Sequence, residues 1–391
     1  MKKSKTKIFI LFVVVLAVSV SVVAGIFFYS ITNSILTDRK SFHSLDWVIQ
    51  LNQYDRIEAL DADQELYIAY TGDEDFLIDG SGKRVERSSD DIKNGHILTV
   101  FTKGKKQGYK HLDGKVAIRA EFDEAYDFDG GYAKVSKNGT DYFVIDTKGR
   151  TVFTPEEDAS NLEQIDGKYF LFYRDQHRSV INVETSQITE DVNLYDMFHD
   201  AGGGMIAAKA DFAWGNVDPM YLLDKNFRSM HSGQLYGQIG CFGQGLCYVQ
   251  KLVGATEEEH EDYQIENGYM NHDGKVVLTT EKAILGCKFA EGMALVYEKS
   301  HIRCIDQSGK VHFSFKLAEA FNRDSDVNFE YDYAQCYFRN GKAIVYDRKH
   351  YGLVDKKGNW VIQPDFDEMT YAGTDKLLVE YKGMSGMIRV K

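Results

Sequence analysis

The feature that most constrains the fold of this chain is a phrase that recurs along it: an apolar or aromatic residue, two further residues, a glycine, then an alternating apolar stretch. It reads FDGGYAKV at 128–135, FGQGLCYV at 242–249 and FAEGMALV at 289–296, with weaker copies near Ile92, Ile165, Gly203 and Phe338. The marker glycines Gly95, Gly131, Gly167, Gly204, Gly245, Gly292 and Gly341 are spaced by 36, 36, 37, 41, 47 and 49 residues. Alternation with period two is the pattern of a half-buried strand, and a unit of this size cannot bury its apolar face alone, so neighbouring copies must stack.

A second phrase, Asp-x-x-Gly followed by Lys or Arg, follows most copies, as at 79–83, 146–150 and 306–310, with variants at 111–115, 271–275 and 355–359. Asp can cap a tight turn with its own carboxylate, and Gly supplies the left-handed residue that closes it, so the phrase predicts a hairpin between the second and third strands of a unit. An acidic-aromatic stretch such as 122–126 (FDEAY) or 366–369 (FDEM) leads into the next copy. Each unit thus holds three firm strands and a short fourth. The fold expected is all-β: a β-propeller-like ring of about eight to nine four-stranded units, with an open β-solenoid as the alternative. Residues 46–55 read like the second half of a unit and 376–390 like the first half, so the ends are expected to share one unit, removing two exposed sheet edges.

The best copy, 351–364 (YGLVDKKGNWVIQP), pairs an aromatic-Gly-apolar-apolar-Asp core with a Gly-x-apolar-apolar-Ile-x-Pro strand. Gln107-Gly108-Tyr109, Asn267-Gly268-Tyr269 and Ser385-Gly386-Met387-Ile388 keep the Gly-apolar part. In these residues the chain resembles the WG-repeat family of bacterial β-repeat proteins. The resemblance implies an all-β repeat domain over 46–391. Members of that family mostly lack an assigned activity, so it implies no catalytic residues.

At the N-terminus, Lys2, Lys3, Lys5 and Lys7 precede 24 residues, 8–31, without a charge. As a helix they would span about 36 Å, enough to cross a hydrocarbon core of about 30 Å. The expectation is a basic cytoplasmic tail at 1–7, a signal-anchor transmembrane helix at 8–31, a juxtamembrane linker at 32–45 and the repeat domain outside the cytoplasm, the protein residing as a single-pass protein in a bacterial cell membrane. A cleaved signal ending near Val22-Val23-Ala24 is the alternative.

The net charge is −13, and without the four N-terminal lysines the remainder carries about −17, which excludes nucleic acid as a partner and favours a basic peptide, a cation or a neutral glycan. The five cysteines form no C-x-x-C pair and are odd in number; they read as small core residues, with room for one disulfide. No metalloprotease helix, nucleophile elbow, P-loop or dinucleotide fingerprint occurs, and no cofactor is expected. Asp324, Asp326, Asn328 and Glu330 place oxygen ligands at alternate positions, as calcium loops do, but Phe329 stands where such a loop needs Gly; a solvated surface loop is the plain reading. The acidic insertion with Glu257, Glu258 and Glu259, the stretch 318–332 and Trp214 are the candidate contacts for a protein or glycan partner. The function expected is non-enzymatic binding or scaffolding in the cell envelope. The alternative is an envelope enzyme with a dispersed acid/base pair in a central funnel.

Overall fold

The structure, a computed structural model, describes residues 40–61, 65–72, 74–85, 98–111, 114–156, 160–174, 177–190, 192, 195–210, 219–231, 234–256, 263–317 and 336–390. Apart from a 3-10 turn at Lys40–Ser44, its regular elements are all β-strands, every pairing antiparallel. Among the described residues no helix is long and apolar enough to cross a membrane. The expected single-pass membrane location is therefore corrected: where the chain is described, its apolar residues alternate along strands and are spent on contacts between sheets. The stretch 8–31 lies outside the described residues.

The expected ring of uniform four-stranded units is corrected as well. Among the described residues the strands form eight sheets, five with four strands, two with three and one with seven, and none of these closes into a barrel. The sheets built on Leu66–Thr71 and Lys106–Lys110 each have three strands. The seven-stranded sheet arises because one residue pair, Met220 with Tyr236, joins Met220–Asp224 to Leu235–Ile239.

The first strand, Asp46–Tyr54, pairs with the last, Met384–Arg389, placing Trp47 opposite Ile388 and Ile49 opposite Met387. An open stack of units would hold these two strands apart. Their shared sheet is packed on both faces. On one, Leu51, Leu377 and Ile388 meet Ile344 and Leu353 of the preceding unit; on the other, Ile49, Leu378 and Met387 meet Ile57, Tyr67 and Ala69 of the following one. Elsewhere too the core is a series of layers between consecutive sheets, as where Val144 meets Phe170, Phe172 and Ile181.

Two kinds of polar anchor hold these layers in register. Tyr109 and Tyr269 have no exposed surface, and their hydroxyls donate to Tyr126 O at 2.7 Å and Cys287 O at 2.8 Å, each carbonyl lying two residues ahead of the aromatic that opens the next unit's phrase, Phe128 or Phe289. A buried hydroxyl left without a partner would cost about 1–3 kcal/mol. The Asp-x-x-Gly turns form the hairpins expected of them. Oδ1 of Asp79, Asp146, Asp306 and Asp355 each accepts the amides two and four residues on, at 2.8–3.1 Å.

Candidate functional site

The phrase with the marker glycine builds a two-residue hairpin. Gln244-Gly245, Glu291-Gly292 and Asn340-Gly341 all have positive φ at both residues, the geometry that matches the twist of flanking strands. Glycine adopts it freely, whereas Gln244 (φ 50°) and Glu291 (φ 52°) pay about 1–2 kcal/mol each. What these side chains gain in return is a link to the next unit. Gln244 Oε1 accepts the Gly292 amide at 2.8 Å, Glu291 Oε2 accepts the Gly341 amide at 3.0 Å, and Asn340 Nδ2 donates to Thr374 O at 2.6 Å. Asp129 does the same for the Gly167 amide at 2.6 Å. The turns at Gly245, Gly292 and Gly341 and the stretch at Thr374 are thereby tied in series along one face.

Three side chains stand at corresponding places beside that face: Lys288, Tyr337 and Tyr371, each five residues ahead of the strands Met293–Glu298, Lys342–Tyr346 and Lys376–Tyr381. They form a ladder. Lys288 Nζ lies 3.9 Å from the centre of the Tyr337 ring, the Tyr337 and Tyr371 rings are 5.3 Å apart, and the Arg339 guanidinium lies 5.6 Å from the centre of Tyr371. The Tyr371 hydroxyl donates to Tyr337 O at 2.9 Å and Lys342 O at 3.1 Å, and burial pushes its ionisation well above the ordinary tyrosine range. All four ladder side chains are half-buried.

Immediately before the first two rungs come Cys287 and Cys336, joined by a disulfide with Cα atoms 5.5 Å apart, a separation natural to such a bond. They too are corresponding residues of consecutive units, 49 positions apart. The disulfide sits in the core with Leu295, Cys304 and Val345, while Cys241, one residue ahead of Phe242 as Lys288 is ahead of Phe289, packs against the same cluster. At the far end of the ladder a shallow cleft of about 20 Å³, open to solvent, is lined by Arg339, Lys342, Tyr371, Thr374, Asp375 and Lys376. Lys376 Nζ, with a side chain only 5% exposed, is neutralised there by Glu65 and by Asp375 at 3.3 Å. Glu291 is held below the ordinary carboxylate range: burial pushes it up, and Lys356 Nζ at 3.0 Å together with the Gly341 amide outweighs that.

A family model described as WG containing repeat matches residues 108–140 and 351–372. Those two stretches are similar to WG repeats. The glycine of each copy has a steric reason in this fold: a Cβ on Gly352 would lie 2.8 Å from Ile362 O, and one on Gly108 would lie 2.6 Å from Ile118 O. The third strand of the WG unit bulges over the glycine at these places, with register shifts between Tyr351 and Leu353 and between Gln107 and Tyr109. No curated protein matches the chain. Among solved structures it is similar to a eukaryotic initiation factor (12% identity, 83% of this chain and 81% of that one, TM-score 0.40). It is also similar to dipeptidyl peptidase 4 of Porphyromonas gingivalis (10%, 83% and 56%, TM-score 0.42) and to the Pan2 WD40 domain of Neurospora crassa (10%, 90% and 91%, TM-score 0.29). These likenesses are too loose to carry a functional argument.

Asp324, Asp326, Asn328 and Glu330, as well as Trp214, Glu257, Glu258 and Glu259, lie outside the described residues. Among the described residues no group of three His, Cys, Asp or Glu side chains is placed to hold a metal ion. The ladder itself escaped the sequence reading, which followed the aromatic and glycine of each phrase and passed over the residue just before the aromatic. A signal was present in the Cys-x-Phe that precedes both 289–296 and the copy at Phe338.

Proposed function

We propose that this chain is a repeat-based binding scaffold that takes a protein partner on the face formed by its linked turns. The observation that supports this reading is the ladder of Lys288, Tyr337, Arg339 and Tyr371. It gathers aromatic and cationic groups of the kind that dominate binding hot spots, and it holds them on rigid turns before any partner arrives. Hydrogen bonds between units and the Cys287–Cys336 bond supply that rigidity, so little ordering is left to be done on binding. Function in this reading is presentation of a surface, with no bond made or broken.

The test is positional photo-crosslinking in cells of the native host. A benzophenone amino acid replaces Tyr337 in one full-length version of the protein and the exposed Val116, on the outer strand of another unit, in a second. The expected result is a discrete protein adduct from position 337 that is absent from position 116. Adducts that are identical at both positions, or found only at 116, would overturn the reading.

A further inference from the structure

We infer that the ladder recognises a short peptide segment that carries a carboxylate beside an aromatic side chain. The inference rests on the scaffold reading and adds the chemistry of the partner to it.

The charge of the face runs against that of the chain. In a chain with a net charge of −13, the described cations Lys288, Arg339, Lys342, Lys356 and Lys376 outnumber the acids set among them, Glu65, Glu291 and Asp375, an excess that calls for a use. Some of the basic residues here are already neutralised: Lys356 by Glu291, and Lys376 by Glu65 and Asp375. Lys288, Arg339 and Lys342 are different. Among the described residues none of the three has a carboxylate within salt-bridge reach; Lys288 and Arg339 face tyrosine rings, and Lys342 Nζ meets only the Asn340 carbonyl at 3.4 Å. A ring face attracts a cation by about 0.5–1 kcal/mol at exposed sites and leaves the N–H groups directed away from the ring available to an anion. Arg339 offers the planar fork that matches a carboxylate, and the resulting bonds are stronger than those between neutral groups.

The dimensions select a peptide. From Lys288 Nζ across Tyr337 to Tyr371 the ladder spans at most about 9 Å, no more than about three residues of extended chain. An aromatic side chain of the partner can meet the half-buried Tyr337 and Tyr371 rings edge to face while the neighbouring carboxylate reaches Arg339 or Lys288. A long polyanion is disfavoured, because the chain as a whole carries a net charge of −13. A single carboxylate is not, since the remaining charges are screened over about 8 Å at physiological salt. The disulfide bears on affinity directly, because Cys287 and Cys336 are the residues that hold the backbone of Lys288 and Tyr337 side by side.

The probe is the blocked peptide acetyl-Gly-Phe-Glu-Phe-Gly-amide, titrated against the full-length protein by calorimetry beside its Gln and Lys counterparts and beside digalacturonate. The expected result is binding of the Glu peptide at least ten-fold tighter than of the Gln peptide. That preference should fall to about one in the double variant Lys288→Gln/Arg339→Gln, with an unchanged circular-dichroism spectrum, and persist in Lys106→Gln, whose ammonium pairs with Asp123 in another unit. Equal binding of the Glu and Gln peptides, tighter binding of the Lys peptide, no binding of the Glu peptide, or tighter binding of digalacturonate at the ladder each overturns the inference. A crosslink specific to position 337 alongside any of these outcomes leaves the scaffold reading standing. Its absence removes that reading instead.

Discussion

The aspartates of the repeated hairpins show how one side chain sets both local geometry and a pH response. Asp146 Oδ1 accepts the amides of Lys148 and Arg150 at 3.0 and 2.9 Å, and Oδ2 accepts from Arg150 Nε at 2.7 Å. Burial pushes its ionisation up, but those donors outweigh it and hold the carboxyl below its ordinary value. A depressed value in the folded state means that the stabilisation is present above the unfolded value of about 4 and is lost as pH falls through the folded one. Asp79, Asp306 and Asp355 are shifted in the same direction, so these hairpins weaken together in acid. Asp146→Ala is expected to cost about 1–2 kcal/mol at pH 7 from the lost hydrogen bonds. Asp146→Asn is expected to keep much of the turn, as Asn271 does with the amides of Asp273 and Lys275, and to flatten the fall in urea midpoint between pH 6 and pH 3. An Asn variant with the wild-type pH slope would remove the carboxylate from this account.

Asp224 heads the same hairpin, accepting the amides of Asn226 and Arg228 at 2.8 and 3.0 Å, yet the sequence phrase does not reveal it. Where the phrase has glycine, this copy has Phe227 at φ 59°. The ring is buried and meets Tyr169 edge to face at 5.2 Å between centroids. Packing of a large aromatic outweighs the conformational preference of a single residue, and packing partners 58 positions away are invisible to a local motif.

At the level of the element, the unit is legible because its determinants are local: alternation of apolar side chains, and glycine or aspartate where the backbone must turn. What couples one unit to the next is not. The Cys287–Cys336 bond, the Tyr269 hydroxyl on Cys287 O and the turn-to-turn amide bonds join residues 18–50 positions apart. Replacing Cys287 and Cys336 together by Ser is expected to lower stability by about 2–4 kcal/mol, since the bond closes a long loop in the unfolded chain. The check is urea denaturation of both proteins with and without a dithiol reductant. The wild type should fall toward the variant when reduced, while the variant stays put. A reductant effect of equal size in the variant would assign the loss to something other than this bond.

At the scale of the molecule, joining the first strand to the last converts local units into one cooperative structure. The junction is tight. A Cβ on Gly386 would lie 3.0 Å from Ile49 O and 2.8 Å from the Trp47 ring, so Gly386→Ala must push the N-terminal strand outward. Overpacking of this kind costs about 1–3 kcal/mol. The expected outcome is a lower melting temperature together with faster proteolytic cleavage within Asp46–Tyr54, read by mass spectrometry of the early fragments. Cleavage that begins elsewhere at an unchanged rate would show that this pairing does not hold the fold together. Charge behaves differently at this scale from composition. The total of −13 points toward a basic or neutral partner, whereas the ladder concentrates cations on one small face.

By itself, the sequence determined the strand-forming alternation, the Asp-x-x-Gly hairpins and the WG glycines, because each depends on backbone conformation or on residues a few positions apart. Tertiary structure alone decided how many strands each sheet gathers, which two cysteines bond, and where lysine, arginine and tyrosine meet. Those outcomes depend on distances between residues remote in the chain, and neither a periodic pattern nor a net charge encodes a distance.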